Sequence, residues 1–253
     1  MPVFFIPSTV IQGKTVTLID PLYTHLCKSL RVRTGQSLRI RNEHRQQHTI
    51  IINKISKNSL TGEIQDTLNG PPLEQSTITL VQAILKPDHM AWIIQKSTEL
   101  GVNSIVPIIT ERVRSRSGKG SLQHYCERWQ RIALEAAQQS ERWNIPLILS
   151  PQPFTNFLRE LTPTHRHFLL TEREGTSTDS PISFTHPIIA DNNVVLATGP
   201  EGGWSQEEIL KAKEAGFRKV SLGEKILRSE TATITALVML QERLKQLSLT
   251  TIS

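Results

Sequence analysis

Two stretches of this 253-residue chain concentrate the residues that could do chemistry. The first is Leu196-Ala-Thr-Gly-Pro-Glu-Gly-Gly-Trp-Ser-Gln-Glu-Glu-Ile209. An apolar run enters a glycine-rich turn, and a helix follows. Ser205 and Glu208 form an S-x-x-E capping box, and Trp204 and Ile209 stand at hydrophobic-staple positions. The cap does not need Gly199, Gly202 and Gly203. Glycines packed this closely point to backbone that a ligand approaches, against the plainer alternative of a tight surface turn. In open α/β sheets, ligands sit at the carboxyl ends of strands, where this turn falls.

The second stretch is Val220-Ser-Leu-Gly-Glu-Lys-Ile-Leu-Arg-Ser-Glu-Thr-Ala-Thr233. Again a strand enters a short loop and a helix follows. Ser229 can cap that helix, and Glu230 suits the positive end of its dipole. Arg228 does not, because a cation at a helix N-terminus is locally unfavourable. A charge misplaced for the helix, beside a candidate ligand loop, is a functional candidate. Pairing with Glu201, Glu224 or Glu230 is the structural alternative.

Other chemistries lack their residues. There is no GxxxxGK[ST] phosphate loop and no GxGxxG after a strand. The eight histidines show no metal-ligand spacing, and His165 with His167 reads as a strand edge, so no metal is expected. Cys27 and Cys126 form no CxxC pair, which fits a reducing, cytoplasmic compartment. The Met-Pro-Val-Phe-Phe-Ile-Pro start has no basic region and does not read as a signal peptide. No apolar run approaches the roughly 20 residues that span a bilayer.

The elements that position these loops follow a pattern. Gln36–Arg41, His48–Ile55 and Asn58–Ile64 read as strands, and Pro21–Leu30 as a short helix with Asp20 as its N-cap. A small β-barrel suits that spacing. Asn69-Gly-Pro-Pro72 breaks any element, and the domain boundary is placed there. Beyond it, strands at Thr77–Leu85, Ser104–Ile109, Arg166–Thr171, Asn193–Thr198 and Phe217–Leu222 alternate with helices. The helices are Asp88–Leu100, Leu122–Arg142, Ser205–Ala215 and Ser229–Leu247. This is an α/β domain with a mainly parallel sheet. Glu172–Asp179 reads as a loop.

Charge separates the two parts. Residues 1–70 hold nine Lys/Arg against four Asp/Glu, a net +5 of the chain's +6. That asymmetry points to a polyanion, such as a nucleic acid, reached through the N-terminal part, against the plainer alternative of a solvated surface with a modest excess.

With both loops in view, the chain closely resembles the SPOUT superfamily of S-adenosylmethionine-dependent methyltransferases. Within it, the resemblance is to the RsmE family, which methylates uridine N3 in small-subunit (16S) ribosomal RNA. The residues that carry it are Gly-Pro-Glu-Gly-Gly-Trp at 199–204 and Leu-Gly-x-x-Ile-Leu-Arg-x-Glu-Thr-Ala at 222–232. Gln-Lys-Ser-Thr-Glu-Leu-Gly-Val at 95–102, Glu-Ala-Ala-Gln-Gln-Ser-Glu-Arg at 135–142, and His25 with Leu30-Arg31 and Gly35 add to it. One departure is Asn-Glu-His-Arg-Gln-Gln at 42–47, where a Gly/Asp-rich turn is expected.

The resemblance implies a PUA-like RNA-binding β-barrel over 1–72 and a SPOUT α/β domain with a trefoil knot over 73–253. It implies a homodimer, S-adenosylmethionine as cofactor, and the ribosomal RNA or assembled small subunit as partner. Carried onto this chain, the cofactor loops are Leu170, Thr171 and Glu172; Thr198, Gly199, Pro200, Gly202 and Gly203; and Leu222, Gly223, Ile226 and Leu227. The RNA-binding candidates are His25, Lys28, Arg31, Arg33 and Arg39. Arg228 is expected to favour the uridine anion or to grip a phosphate, and Glu230 or Glu201 to take the N3 proton. A non-catalytic assembly factor and a ribose 2′-O-methyltransferase are the rival readings.

Overall fold

Alternating apolar residues build the first sheet. In the computed structural model, which describes residues 3–72, 76–113, 119–161, 166–172 and 193–250, its strands are β1 (Val3–Phe5), β2 (Ile11–Gln12), β3 (Thr15–Leu18), β4 (Ser37–Arg41), β5 (Gln46–Ile55) and β6 (Leu60–Asn69). Their order is β1-β4-β5-β6-β3-β2, with β1 parallel to β4 and every other pair antiparallel. No pairing joins β1 to β2 among the described residues, so the expected closed barrel is here a six-stranded mixed sheet. Leu38, Ile40, Ile50, Ile52 and Leu60 turn inward onto Phe4, Val16 and Leu26. The expected helix at Pro21–Leu30 is shorter. It is one α-turn, α1 (Leu22–Thr24), running into a π-turn over His25–Ser29. Asp20 does accept the Thr24 backbone N–H at 3.0 Å.

The chain divides into two compact units. One takes residues 1–73 and Ala137–Asn144, and the other residues 74–136 and 145–253. The helix expected over Leu122–Arg142 takes in most of the segment Ala137–Asn144 and assigns it to the second domain. Instead the helix α3 (Lys119–Gln139) ends at Gln139, and Glu141 takes a left-handed φ of 53°. Arg41 explains why the segment stays with the first sheet. Its buried guanidinium donates to Gln47 Oε1 at 2.7 and 2.9 Å, and to the carbonyls of Glu141 and Arg142 at 2.6 Å. It also stacks 4.0 Å from the Trp143 ring centroid. Burial pulls its pKa down, against the raising influence of Glu141. Arg41→Met strands two carbonyls and an amide oxygen, and should destabilise the protein by about 2–3 kcal/mol. Arg41→Lys should recover only part of this, since an ammonium cannot reproduce the planar fork. Urea-unfolding midpoints measure both.

The second unit is built on an all-parallel sheet. Its strands are β7 (Thr77–Ala83), β8 (Ser104–Ile109), β9 (Leu147–Ile148), β10 (Gln152–Pro153), β11 (Arg166–Leu170), β12 (Asn193–Thr198) and β13 (Arg218–Val220). The order is β10-β8-β7-β12-β11-β13, with β9 also on β8. Strands such as Asn193–Thr198 are apolar and buried along nearly their whole length, as a sheet covered on both faces requires. One core holds Ile93, Ile94, Trp129, Leu237 and Leu240. The other holds Phe154, Trp204 and Phe217. The helices are α2 (Pro87–Glu99), α3, α4 (Phe154–Arg159), α5 (Gln206–Glu214) and α6 (Ser229–Thr250). Residues 173–179 of the expected loop, and His165, lie outside the described residues.

Candidate active site

Strand order brings the two motif loops together. Strands β12 and β13 both pair in parallel with β11, so the loops after all three open at one edge of the sheet. They enclose a cavity of about 820 Å³. Leu170, Thr171 and Glu172 reach it from the end of β11. Thr198, Gly199, Pro200, Glu201, Gly202 and Gly203 form its turn. Leu222, Ile226, Leu227, Arg228 and Glu230 come from the segment after β13 and the start of α6. Gly223 is the one cofactor candidate that does not line it.

The glycine turn is held rigidly from several sides. Ser205 and Glu208 make the capping box, with Glu208 N–H to Ser205 Oγ at 3.2 Å and Ser205 N–H to Glu208 Oε2 at 2.9 Å. The other Glu208 oxygen accepts the Glu111 backbone N–H at 2.9 Å. Trp204 Nε1 donates to the Leu170 carbonyl at 2.9 Å, which joins the turn to the end of β11. Arg112 donates to the Gly202 carbonyl at 3.0 Å. A Cβ on Gly199 would stand 2.9 Å from Trp204 Nε1, so the indole itself requires glycine there.

Beneath the turn lies a buried polar knot centred on Gln82, at the end of β7. Its Oε1 accepts from Thr198 Oγ1 at 2.6 Å and Thr233 Oγ1 at 3.0 Å, and its Nε2 donates to the Ala83 carbonyl at 2.9 Å. Ser229 Oγ donates to the Gly199 carbonyl at 2.6 Å. The turn and the N-terminus of α6 are therefore fixed to each other by direct hydrogen bonds.

The side chains facing the cavity divide by charge. Lys86, Arg112, Lys225 and Arg228 are cationic, whereas Glu172, Glu201 and Glu230 are anionic. The partners expected for Arg228 are engaged elsewhere or absent. Glu201 Oε1 lies 3.1 Å and Glu230 Oε2 3.8 Å from Nδ1 of His89, on α2. Among the described residues, no ion pair forms on the Arg228 guanidinium. The site thus presents an exposed cation beside a carboxylate–imidazole cluster. That combination can stabilise an anion and move a proton. Bare turn backbone beside Leu170, Leu222 and Leu227 can hold a flat heterocycle.

His89, Lys86, Arg112 and Gln82 are absent from the expectations drawn from the sequence. One signal for them existed. They lie at or just beyond the carboxyl ends of β7 and β8, the sheet edge on which such ligands bind.

The RNA candidates sit in the first unit. His25, Lys28, Arg31 and Arg33 are exposed. Arg31 holds a left-handed φ of 51°, and the His25 ring meets Phe4 edge-on at 6.1 Å. Arg39 differs. It forks onto Glu141 at 2.6 and 3.1 Å, whereas Glu43, four residues on, accepts from Ser8.

Comparison with known proteins places this geometry. A model of an RNA methyltransferase domain matches residues 72–241. A ribosomal RNA small subunit methyltransferase E of Synechocystis sp. is 32% identical over 94% of this chain and 76% of its own length. The crystal structure of the Neisseria gonorrhoeae ribosomal RNA small subunit methyltransferase E, bound to S-adenosyl methionine, superposes with a TM-score of 0.83 at 31% identity, covering 96% of this chain and 97% of that one. A Legionella pneumophila methyltransferase structure, in complex with the same cofactor, gives 0.83 at 32% identity over 95% and 97%. The fold, the loops after three adjacent parallel strands and these matches agree, and the chain belongs to the ribosomal RNA small subunit methyltransferase E family of RNA methyltransferases.

Proposed function

We propose that this protein methylates N3 of a uridine in small-subunit ribosomal RNA, using S-adenosylmethionine. The observation that carries the reading is the convergence of both motif loops on one cavity, with Arg228 at its surface and in no ion pair among the described residues. The cavity residues fit the cofactor. Gly203 has a left-handed φ of 68° and bare backbone, and Leu170, Leu222 and Leu227 offer an apolar bed for adenine. When bound, S-adenosylmethionine supplies an electrophilic methyl group on a sulfonium.

The rest is done by this chain. Uridine N3 is a weakly acidic imide that becomes a good nucleophile after losing its proton. Arg228 favours the anion electrostatically, and Glu201 or Glu230 accepts the proton. N3 lies on the pairing edge, so the target uridine is unpaired or flipped out when it reacts. The turn, pinned by Trp204, Arg112 and the Gln82 knot, holds the reacting atoms in line. A trefoil knot, a PUA-like first unit, a homodimer and a cytoplasmic location complete the proposal. Trp92, Val238 and Met239, exposed on α2 and α6, support the dimer. No helix among the described residues is long and apolar enough to cross a membrane.

RNA is proposed to dock on the first unit through Lys28, Arg31 and Arg33. Replacing these three with Gln should lower the slope of log affinity against log salt. On single-stranded RNA the drop is roughly 0.7 for each phosphate that is no longer neutralised. Cofactor affinity should stay unchanged. Arg39 is left out, because its removal would also break the Glu141 pair. RNA binding at several salt concentrations, beside calorimetry with the cofactor, checks this. An unchanged slope would move the RNA footprint away from these residues. The reaction itself is tested by the identity of the methylated nucleoside.

A further inference from the structure

We propose that His89 carries away the proton displaced by methylation, receiving it from Glu230 and releasing it to solvent. This rests on the reading of the reaction as methylation at uridine N3. Each methyl group placed on N3 replaces a hydrogen. The N3–H bond breaks and leaves its electron pair on N3, and that pair forms the bond to the methyl carbon. The carbon–sulfur bond of the donor breaks, with its electrons kept by sulfur. One proton per turnover therefore passes to the protein and must return to water.

The geometry favours His89 for that task. Its Nδ1 lies 3.1 Å from Glu201 Oε1 and 3.8 Å from Glu230 Oε2. Nδ1 and Glu230 Oε2 are both buried, and neither makes a hydrogen bond. The short approach to Glu201 therefore lies off the hydrogen-bonding direction. Buried polar atoms without partners cost free energy unless a proton or a substrate group joins them. Exposure supplies the direction of travel. The Glu230 side chain is only 15% exposed, so a proton placed on it has no ready route to water, whereas its neighbours His89, at 35%, and Glu201, at 38%, both reach solvent. An imidazole accepts a proton on one nitrogen and releases it from the other. Three elements meet here: α2 supplies His89, the turn Glu201, and α6 Glu230. Lys86, Arg112, Lys225, Arg228 and Glu172 face the same cavity.

The test uses the full-length protein with His89→Gln and His89→Ala. Steady-state formation of N3-methyluridine, over many turnovers per protein, is followed against pH, with and without added imidazole, beside calorimetry with S-adenosylmethionine. Proton-transfer groups typically contribute about a hundredfold or more, so both variants should lose at least about tenfold in rate. Cofactor affinity should hold. Added imidazole should restore much of the rate to His89→Ala. The ring must be unprotonated to receive, so the pH profile of the parent should change in His89→Gln. Independently of turnover, the His89 ring signal should titrate differently by NMR once Glu201→Gln removes its neighbour. Less than a tenfold loss overturns the proposal. So does a larger loss with no imidazole rescue and an unaltered pH profile, which would make His89 a brace. A parent that forms no N3-methyluridine overturns the underlying reading instead, and shows this before any variant is made.

Discussion

Arg228→Ala should lower methyl transfer by about a hundred- to thousandfold while folding and cofactor affinity stay largely intact. The guanidinium is exposed at the cavity and forms no ion pair among the described residues. Its backbone carbonyl, which accepts the Ala232 N–H at 2.8 Å, survives the substitution. Losing the side chain should therefore change stability by no more than about 0.5 kcal/mol. The rate is a different matter, because a fixed cation beside a developing anion acts only when the anion forms. Arg228→Lys should recover part of the loss if the role is charge alone. It should recover little if a planar fork grips phosphate or uracil oxygens. Single-turnover rates and thermal melts separate these outcomes. A fall of less than tenfold would make Arg228 a surface residue.

Gly203→Val should abolish cofactor binding. Saturating S-adenosylmethionine, without RNA, should stabilise the parent by roughly 2.7 kcal/mol at a hundred times its dissociation constant. Gly203 sits at φ 68°, its N–H bonds the Pro200 carbonyl at 2.9 Å, and a Cβ would stand 3.5 Å from Glu172 Oε1. Left-handed backbone costs an L-residue about 1–2 kcal/mol, and a β-branched side chain tolerates it worst. Valine should therefore distort the turn and cover the backbone that the cofactor approaches. Gly203→Ala carries strain with less bulk, and should keep a reduced thermal shift. A full shift in Gly203→Val would remove the turn from the binding site.

The long elements were legible because their signals are local. The capping box and staple put a helix start at Ser205, and α5 runs from Gln206 to Glu214. Apolar runs marked β8 and β12 to the residue. The short strands β2, β9 and β10, two residues each, carry too little pattern to announce themselves, and exist only through their neighbours. Arg39 shows the same limit in a side chain. Its nearest acidic residue along the strand, Glu43, is taken by Ser8, and its partner is Glu141, 102 positions away. The site divides likewise. The motif loops could be read because glycine, proline and a misplaced arginine stand together. His89 could not, because an isolated histidine near a helix start gains meaning only once Glu201 and Glu230, more than a hundred residues on, fold against it.

The most direct measurement is nucleoside mass spectrometry. Small-subunit ribosomal RNA and assembled subunits lacking the modification are incubated with the protein and methyl-labelled S-adenosylmethionine, then digested to nucleosides. The label should appear in N3-methyluridine, and should be lost with Arg228→Ala. Label on a ribose 2′-oxygen, on another base, or on no nucleoside at all would contradict the assignment of this cavity to uridine N3.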